Sequence, residues 1–118
     1  MTKPLYNVYD ASCPTRHALD RIADKWTALI VGVLFERPHR FGELRRRIGG
    51  ISQKMLTQTL RSLQRDGLVE RRAFATVPVT VEYRLTPLGQ SLNAPLAAIR
   101  DWAEGHIEEV LAARASKE

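Results

Sequence analysis

The sequence predicts a mainly α-helical domain closed by one small β-hairpin, and three observations carry that expectation. Apolar residues recur at helical spacing from Pro14 to Asp66, interrupted by Pro38 and by Gly49-Gly50. After Gly67 the pattern turns β-like, in Leu68–Ala75 and Thr80–Leu85. Helical spacing then returns from Leu88 to Leu111. With 118 residues, 44% hydrophobic and 26% charged, the chain is expected to form one soluble domain with a modest core.

Met1 to Ser12 read as an extended arm, with Tyr6, Val8 and Tyr9 as anchors. Pro14 suits the first position of a helix, because its missing N–H would have no partner there. Ala18, Leu19, Ile22 and Ala23 give that helix its apolar face, opposite Arg16, Asp20, Arg21 and Asp24. Trp26, Leu29, Ile30, Val33 and Leu34 mark a second and more buried helix, which Pro38 ends before Arg40. A short third helix from about Gly42 to Ile48 points Leu44 and Ile48 inward and Arg45, Arg46 and Arg47 outward, and Gly49-Gly50 breaks it.

The most informative helix runs from Ser52 to Asp66. Ser52 is a good N-cap, and Gly67 suits the left-handed residue that ends a helix. At about 100° per residue, Leu56, Leu60 and Leu63 share one arc. Lys54, Gln58, Arg61 and Arg65 lie opposite, with Thr57 on the flank. Arg can present two parallel donors to guanine, Gln can pair with adenine, and Lys can neutralise phosphate. The same residues also suit an ordinary solvated face, so the neighbours decide.

Helix, glycine turn, helix is the shape of a helix-turn-helix, whose second helix enters the major groove. The charge agrees. Arg37 to Arg72 holds ten Lys and Arg against Glu43, Asp66 and Glu70, a local +7 in a chain of +5, leaving −2 elsewhere. The hairpin that follows reads as a wing, with Thr76-Val77-Pro78-Val79 at its tip, where Pro breaks no interior ladder. Arg71, Arg72 and Arg84 are its candidate phosphate contacts, and a purely structural hairpin is the alternative. Thr86 and Pro87 start the last helix. Its stripe of Leu92, Leu96, Ile99, Ala103, Val110 and Leu111, with Trp102 beside it, calls for a partner; a second copy suits a palindromic operator, and folding back on its own domain is the alternative. Pro95 and Gly105 are places where it would bend or divide.

The expected organisation is a single domain over 1–118: an arm over 1–12, a winged helix-turn-helix core over 13–87, and a C-terminal dimerisation helix over 88–118. The candidate DNA contacts are Arg46, Ser52, Gln53, Lys54, Thr57, Gln58, Arg61, Arg65, Arg71, Arg72 and Arg84. Tyr6, Tyr9, Leu92, Leu96, Ile99, Trp102 and Val110 are the candidate dimer contacts. His17, His39 and His106 are far apart, and no glycine-rich phosphate cradle, Ser/His/Asp set or carboxylate pair can be placed. Neither an enzyme, a metal nor a cofactor is expected. One cysteine excludes an internal disulfide framework. No apolar run approaches the roughly 20 residues of a membrane span, and no signal-peptide core is present, so the cytoplasm is the expected compartment. The rival function is a winged-helix module that binds a ligand or a protein and never DNA.

Several stretches, in order, resemble the HxlR-type family of bacterial winged-helix transcription regulators. They are Cys13-Pro14, Ile22-Ala23-Asp24-Lys25-Trp26-Thr27, Arg40-Phe41-Gly42-Glu43-Leu44, Ile51-Ser52-Gln53-Lys54-Met55-Leu56-Thr57, Leu63-Gln64-Arg65-Asp66-Gly67-Leu68-Val69 and Val81-Glu82-Tyr83-Arg84-Leu85-Thr86-Pro87-Leu88-Gly89. The resemblance covers Cys13 to about Gly89; the wing tip departs from the family pattern, and no motif follows Gly89. It implies a homodimer paired through its first and last helices, and a repressor or activator that often serves stress or detoxification genes. Some members sense electrophiles or oxidants through a cysteine placed like Cys13, so an electrophile or other small molecule is the effector it implies. Physically, a thiol before a helix feels the positive end of the dipole, and Arg16 and His17 are near enough in sequence to assist.

Overall fold

The computed structural model describes residues 5–116. Six helices and one hairpin follow in the order α1 (Thr15–Ile22), α2 (Lys25–Glu36), α3 (Phe41–Arg47), α4 (Gln53–Arg65), β1 (Val69–Phe74), β2 (Thr80–Leu85), α5 (Pro87–Ser91) and α6 (Asn93–Ser116). The fold is a mainly α-helical winged helix-turn-helix. Its helix ends have local causes. Asp24 accepts the N–H of Trp26 and starts α2. Glu43 reaches back to the N–H of Arg40 at 2.8 Å, and that bond holds its carboxyl below the usual range. Ser52 accepts the N–H of Met55 at 3.0 Å. Gly67, at φ +75°, ends α4 in the left-handed region that side chains disfavour.

One core holds these elements together. Ile30, Val31 and Leu34 of α2, Leu44 and Ile48 around α3, and Leu56, Leu60 and Leu63 of α4 meet Val69 and Leu85 of the hairpin. Thr59, which the apolar pattern does not mark, is buried beside them. The hairpin pairs Val69 with Leu85 and Phe74 with Thr80. A further rung joins His39 to Tyr83, with N–H···O distances of 3.0 and 2.8 Å, and ties the end of α2 to the wing.

Four expectations need correction. The described part of the arm is not extended: residues 7–13 fold into consecutive turns, both Tyr6 and Tyr9 are exposed, and residues 1–4 of the expected arm lie outside the described residues. Its anchors are polar. The Arg16 guanidinium donates to the carbonyls of Val8 and Tyr9, and the N–H of Asn7 donates to Cys13. Pro14 caps α1 rather than opening it, and Leu19 stays half exposed. The C-terminal segment divides at Leu92, ahead of both Pro95 and Gly105. Pro95 lies in the first turn of α6, where an N–H has no helical acceptor, so it breaks nothing. Leu96 is fully buried in its own chain, against α2, and so cannot serve a dimer interface; Leu92 is half buried on the same core. Leu96→Ala is expected to cost about 2–5 kcal/mol in a urea melt, as a core deletion does, where an interface residue would leave the folded chain unchanged.

Arg100 reinforces that packing, donating to the Ala28 carbonyl of α2 at 2.7 Å and to Asn93 at 3.2 Å. Beyond it α6 runs free. Its 24 residues span roughly 36 Å at 1.5 Å each, and the radius of gyration, 17.2 Å, exceeds the about 13.5 Å of a compact chain this long. Trp102, Ile107 and Leu111 are about half exposed along that stretch, as is Ile99 just before Arg100.

Candidate nucleic-acid interface

The exposed side of α4 follows from the burial of its other side. With Leu56, Thr59, Leu60 and Leu63 inside, helical geometry leaves Gln53, Lys54, Gln58, Arg61 and Arg65 exposed and Thr57 at the margin. Gln53, Lys54, Thr57, Gln58 and Arg61 line one shallow groove on that surface. No carboxylate lies in it. Ser52 stands at its N-terminal edge with its hydroxyl oxygen already accepting the Met55 N–H. Arg46 is exposed on α3, as is Arg45, whereas Arg47 turns away to pair with both carboxylate oxygens of Glu36 at 3.0 Å.

The wing arginines do not form one set. Alternation along the hairpin places Val69, Arg71 and Ala73 on the face that meets the core, and Glu70, Arg72 and Phe74 on the other. Arg72 and Arg84 therefore share the outer face with Glu70, whose carboxylate lies 3.7 and 3.3 Å from their guanidinium groups. Arg71 faces inward. It lines a cleft of about 380 Å³ between α4 and the hairpin, with Thr57, Arg61, Gln64, Phe41 and Tyr83. Neither Arg61 nor Arg71 makes an ion pair among the described residues. Two unpaired guanidinium groups thus converge on one concave surface, which is an attractive place for a phosphate.

Gln64, Phe41 and Tyr83 were not among the sequence candidates. A signal existed for two of them. Gln64 follows Thr57 and Arg61 on the helix by seven and three residues, and Tyr83 falls opposite Arg71 in the hairpin register.

Cys13 lies apart from this surface, at the entry to α1, and is buried. Its sulfur is 3.1 Å from the Thr15 hydroxyl and accepts the Asn7 N–H at 3.2 Å. The Thr15 bond, aided by Asn7, holds the thiol pKa below its ordinary value, against burial and the Asp10 carboxylate. Arg16 and His17 are not the cause. Arg16 is engaged with the arm carbonyls, and His17 lines a different cleft.

The winged helix-turn-helix that holds the groove and the cleft has close counterparts among known proteins. The model of the HxlR-like helix-turn-helix family matches residues 21–111. The chain belongs to that family. The HTH-type transcriptional regulator YtfH of Escherichia coli strain K12 is 46% identical over 108 residues, 92% of this chain and 86% of that protein. The solved structure of the transcriptional regulator ytfH from Salmonella typhimurium superposes with a TM-score of 0.84 at 42% identity, over 93% of this chain and 98% of the other. The redox regulator HypR in its reduced form gives 0.75 at 34% identity, over 84% and 98%. This HxlR-like chain is therefore a transcriptional regulator of the helix-turn-helix type and not an enzyme. No helix among its described residues is long and apolar enough to cross a membrane.

Proposed function

We propose that this HxlR-like regulator is a repressor that binds a two-fold symmetric operator as a homodimer, laying α4 in the major groove. The observation that carries the reading is the acid-free groove of Gln53, Lys54, Thr57, Gln58 and Arg61, which continues through Arg61 into the cleft with Arg71. Gln58 and Arg61 supply the side-chain types that read base edges, while Lys54, Arg65, Arg46 and Arg71 supply phosphate contacts. Repression needs only occupancy of a promoter by such a dimer.

Duplexes selected from a random pool by the wild-type protein provide the test. Gln58→Ala and Arg61→Ala should each lose about 1–3 kcal/mol on the selected site and relax the preference at one position. Arg71→Ala should weaken binding to every sequence and flatten its salt dependence. Arg72→Ala should do less, because Arg72 lies on the outer face of the hairpin beside the Glu70 carboxylate that it shares with Arg84. No enrichment from the pool, or variants that bind like the wild type, would assign this surface to a partner other than DNA.

Oxidant sensing through Cys13 is the second part of the reading, supported by the lowered thiol pKa and by the likeness to a redox regulator. A lowered pKa leaves more thiolate at neutral pH, and thiolate is the form that reacts with electrophiles. With one cysteine per chain, diamide and glutathione would convert it to a mixed disulfide, or to a bridge between two copies. Operator release after that treatment, reversed by dithiothreitol and absent in Cys13→Ser, is the expected result. Thr15→Val removes the main cause of the shift, so its thiol should react more slowly at pH 7. A Cys13→Ser protein that still released DNA would rule the sensor out.

A further inference from the structure

A further cleft shares no lining residue with the DNA-facing groove or with the cleft beside it. It encloses about 400 Å³ between α1, the residues that follow α4, and the α5–α6 junction. Its walls are mostly apolar: Ala18 and Ile22 from α1, Leu68 from the turn into the wing, Leu88 and Leu92 from the junction. Its polar groups are Arg21 and His17 from α1, Asp66 at the end of α4 and Ser91 of α5. A few hundred cubic ångströms of apolar wall with a small number of convergent polar groups is the ordinary make-up of a small-molecule site.

Arg21 is not idle there. Its guanidinium pairs with Asp66 at 3.1 Å, and Asp66 is the C-cap of α4. A carboxylate at that end of a helix meets the negative pole of the dipole and opposes the helix, so it needs a cation beside it. Arg21 supplies one from α1. The pair therefore links the helix that leads in from the arm to the last turn of the helix that lines the groove.

We propose that this cleft is an effector site for a small carboxylate with an apolar, aromatic-sized body, whose anionic group takes Arg21 from Asp66. The apolar walls accept the body, and Arg21 offers the planar pair of donors that a carboxylate fits. Binding leaves Asp66 uncompensated at the C-terminus of α4, which loosens that turn and the Gly67-Leu68 step into the wing. Occupancy would then lower DNA affinity, a consequence that rests on the DNA-binding reading. Occupancy itself does not, so the two can fail separately.

The probe is 1-naphthoate, with the uncharged 1-naphthamide beside it, titrated into the full-length protein and followed by ligand fluorescence. 1-Naphthoate should bind at least tenfold more tightly than the amide. Arg21→Met should abolish that preference, and Ala18→Trp, which fills the cleft from an exposed position, should block both ligands. Asp66→Asn frees Arg21 and should tighten 1-naphthoate binding, an effect that loss of folding could not produce. An unresponsive wild type, or binding that ignores Ala18→Trp, would overturn the proposal. So would 1-naphthoate binding that splits the protein into single chains on sedimentation, since the cleft would then belong to a second copy.

Discussion

Gly89→Ala should lower the melting temperature of the protein sharply, although it adds a single methyl group. A Cβ at this position would fall onto the carbonyl oxygen of Leu68 and stand 3.2 Å from Cδ2 of Leu85. Neither neighbour can move cheaply. The Leu68 carbonyl accepts the N–H of Thr86 at 3.1 Å, the Thr86 hydroxyl donates to the Gly67 carbonyl at 2.6 Å, and the same hydroxyl accepts the N–H of Gly89 at 3.1 Å. These bonds clamp the start of α5 against the turn that ends α4. Overpacking commonly costs 1–3 kcal/mol, and against hydrogen-bonded backbone about 3 kcal/mol or more is expected. That is a large share of a typical stability of 5–15 kcal/mol and corresponds to a fall in Tm on the order of 10–20 °C. Gly105→Ala is the control, since nothing lies within 4 Å of that Cβ and the residue sits inside α6. It should gain up to about 1 kcal/mol from helix propensity. Circular dichroism melts at one fixed protein concentration compare the two, and a Gly89→Ala protein that melts with the wild type would refute the clamp.

The same segment shows what sequence reasoning could reach. Thr86-Pro87 announces a helix start in any sequence, because a hydroxyl cap and a proline at the first position are local chemistry. The closeness of Gly89 to Leu68 is a meeting of segments about twenty positions apart, which no local pattern reports. The helices, the strands and the buried leucines of α4 were legible for the first reason, since periodicity of 3.6 or 2 registers burial directly. Leu96 was misplaced for the second reason. Its spacing belongs to one continuous stripe from Leu92 to Leu111, and the sequence does not mark where α2 stops covering that stripe. The wing is an intermediate case. Arg71, Arg72 and Arg84 are all visible as cations, but only the pairing register puts Glu70 between two of them and leaves the third facing α4.

Disrupting the free half of α6 should leave a folded monomer that has almost lost its operator. Trp102 is 58% and Ile107 46% exposed in the single chain, so Trp102→Asp with Ile107→Asp disturbs no intramolecular core. Both residues continue the apolar stripe past Arg100, the last α6 side chain with a hydrogen bond to α2. Ile99, Leu111 and the half-exposed Leu19 of α1 leave further apolar surface uncovered, as the dimer reading requires. Burying carboxylates in such an interface without partners is strongly unfavourable, so the double variant should sediment as a single chain at micromolar concentration. Its circular dichroism spectrum should remain helical. The loss in DNA affinity follows from valency. Two linked reading heads gain roughly 10²–10⁴ over one, provided both engage half-sites one helical turn apart, about 34–36 Å. The variant should therefore bind the selected duplex 10²–10⁴ times more weakly at the same salt concentration, while a single half-site binds both proteins alike. Truncation after Gly89 would not be an equivalent experiment, since it removes Leu96 and opens the core. A wild-type protein that sediments as a monomer, or a double variant that remains dimeric, would locate the self-association elsewhere or deny it.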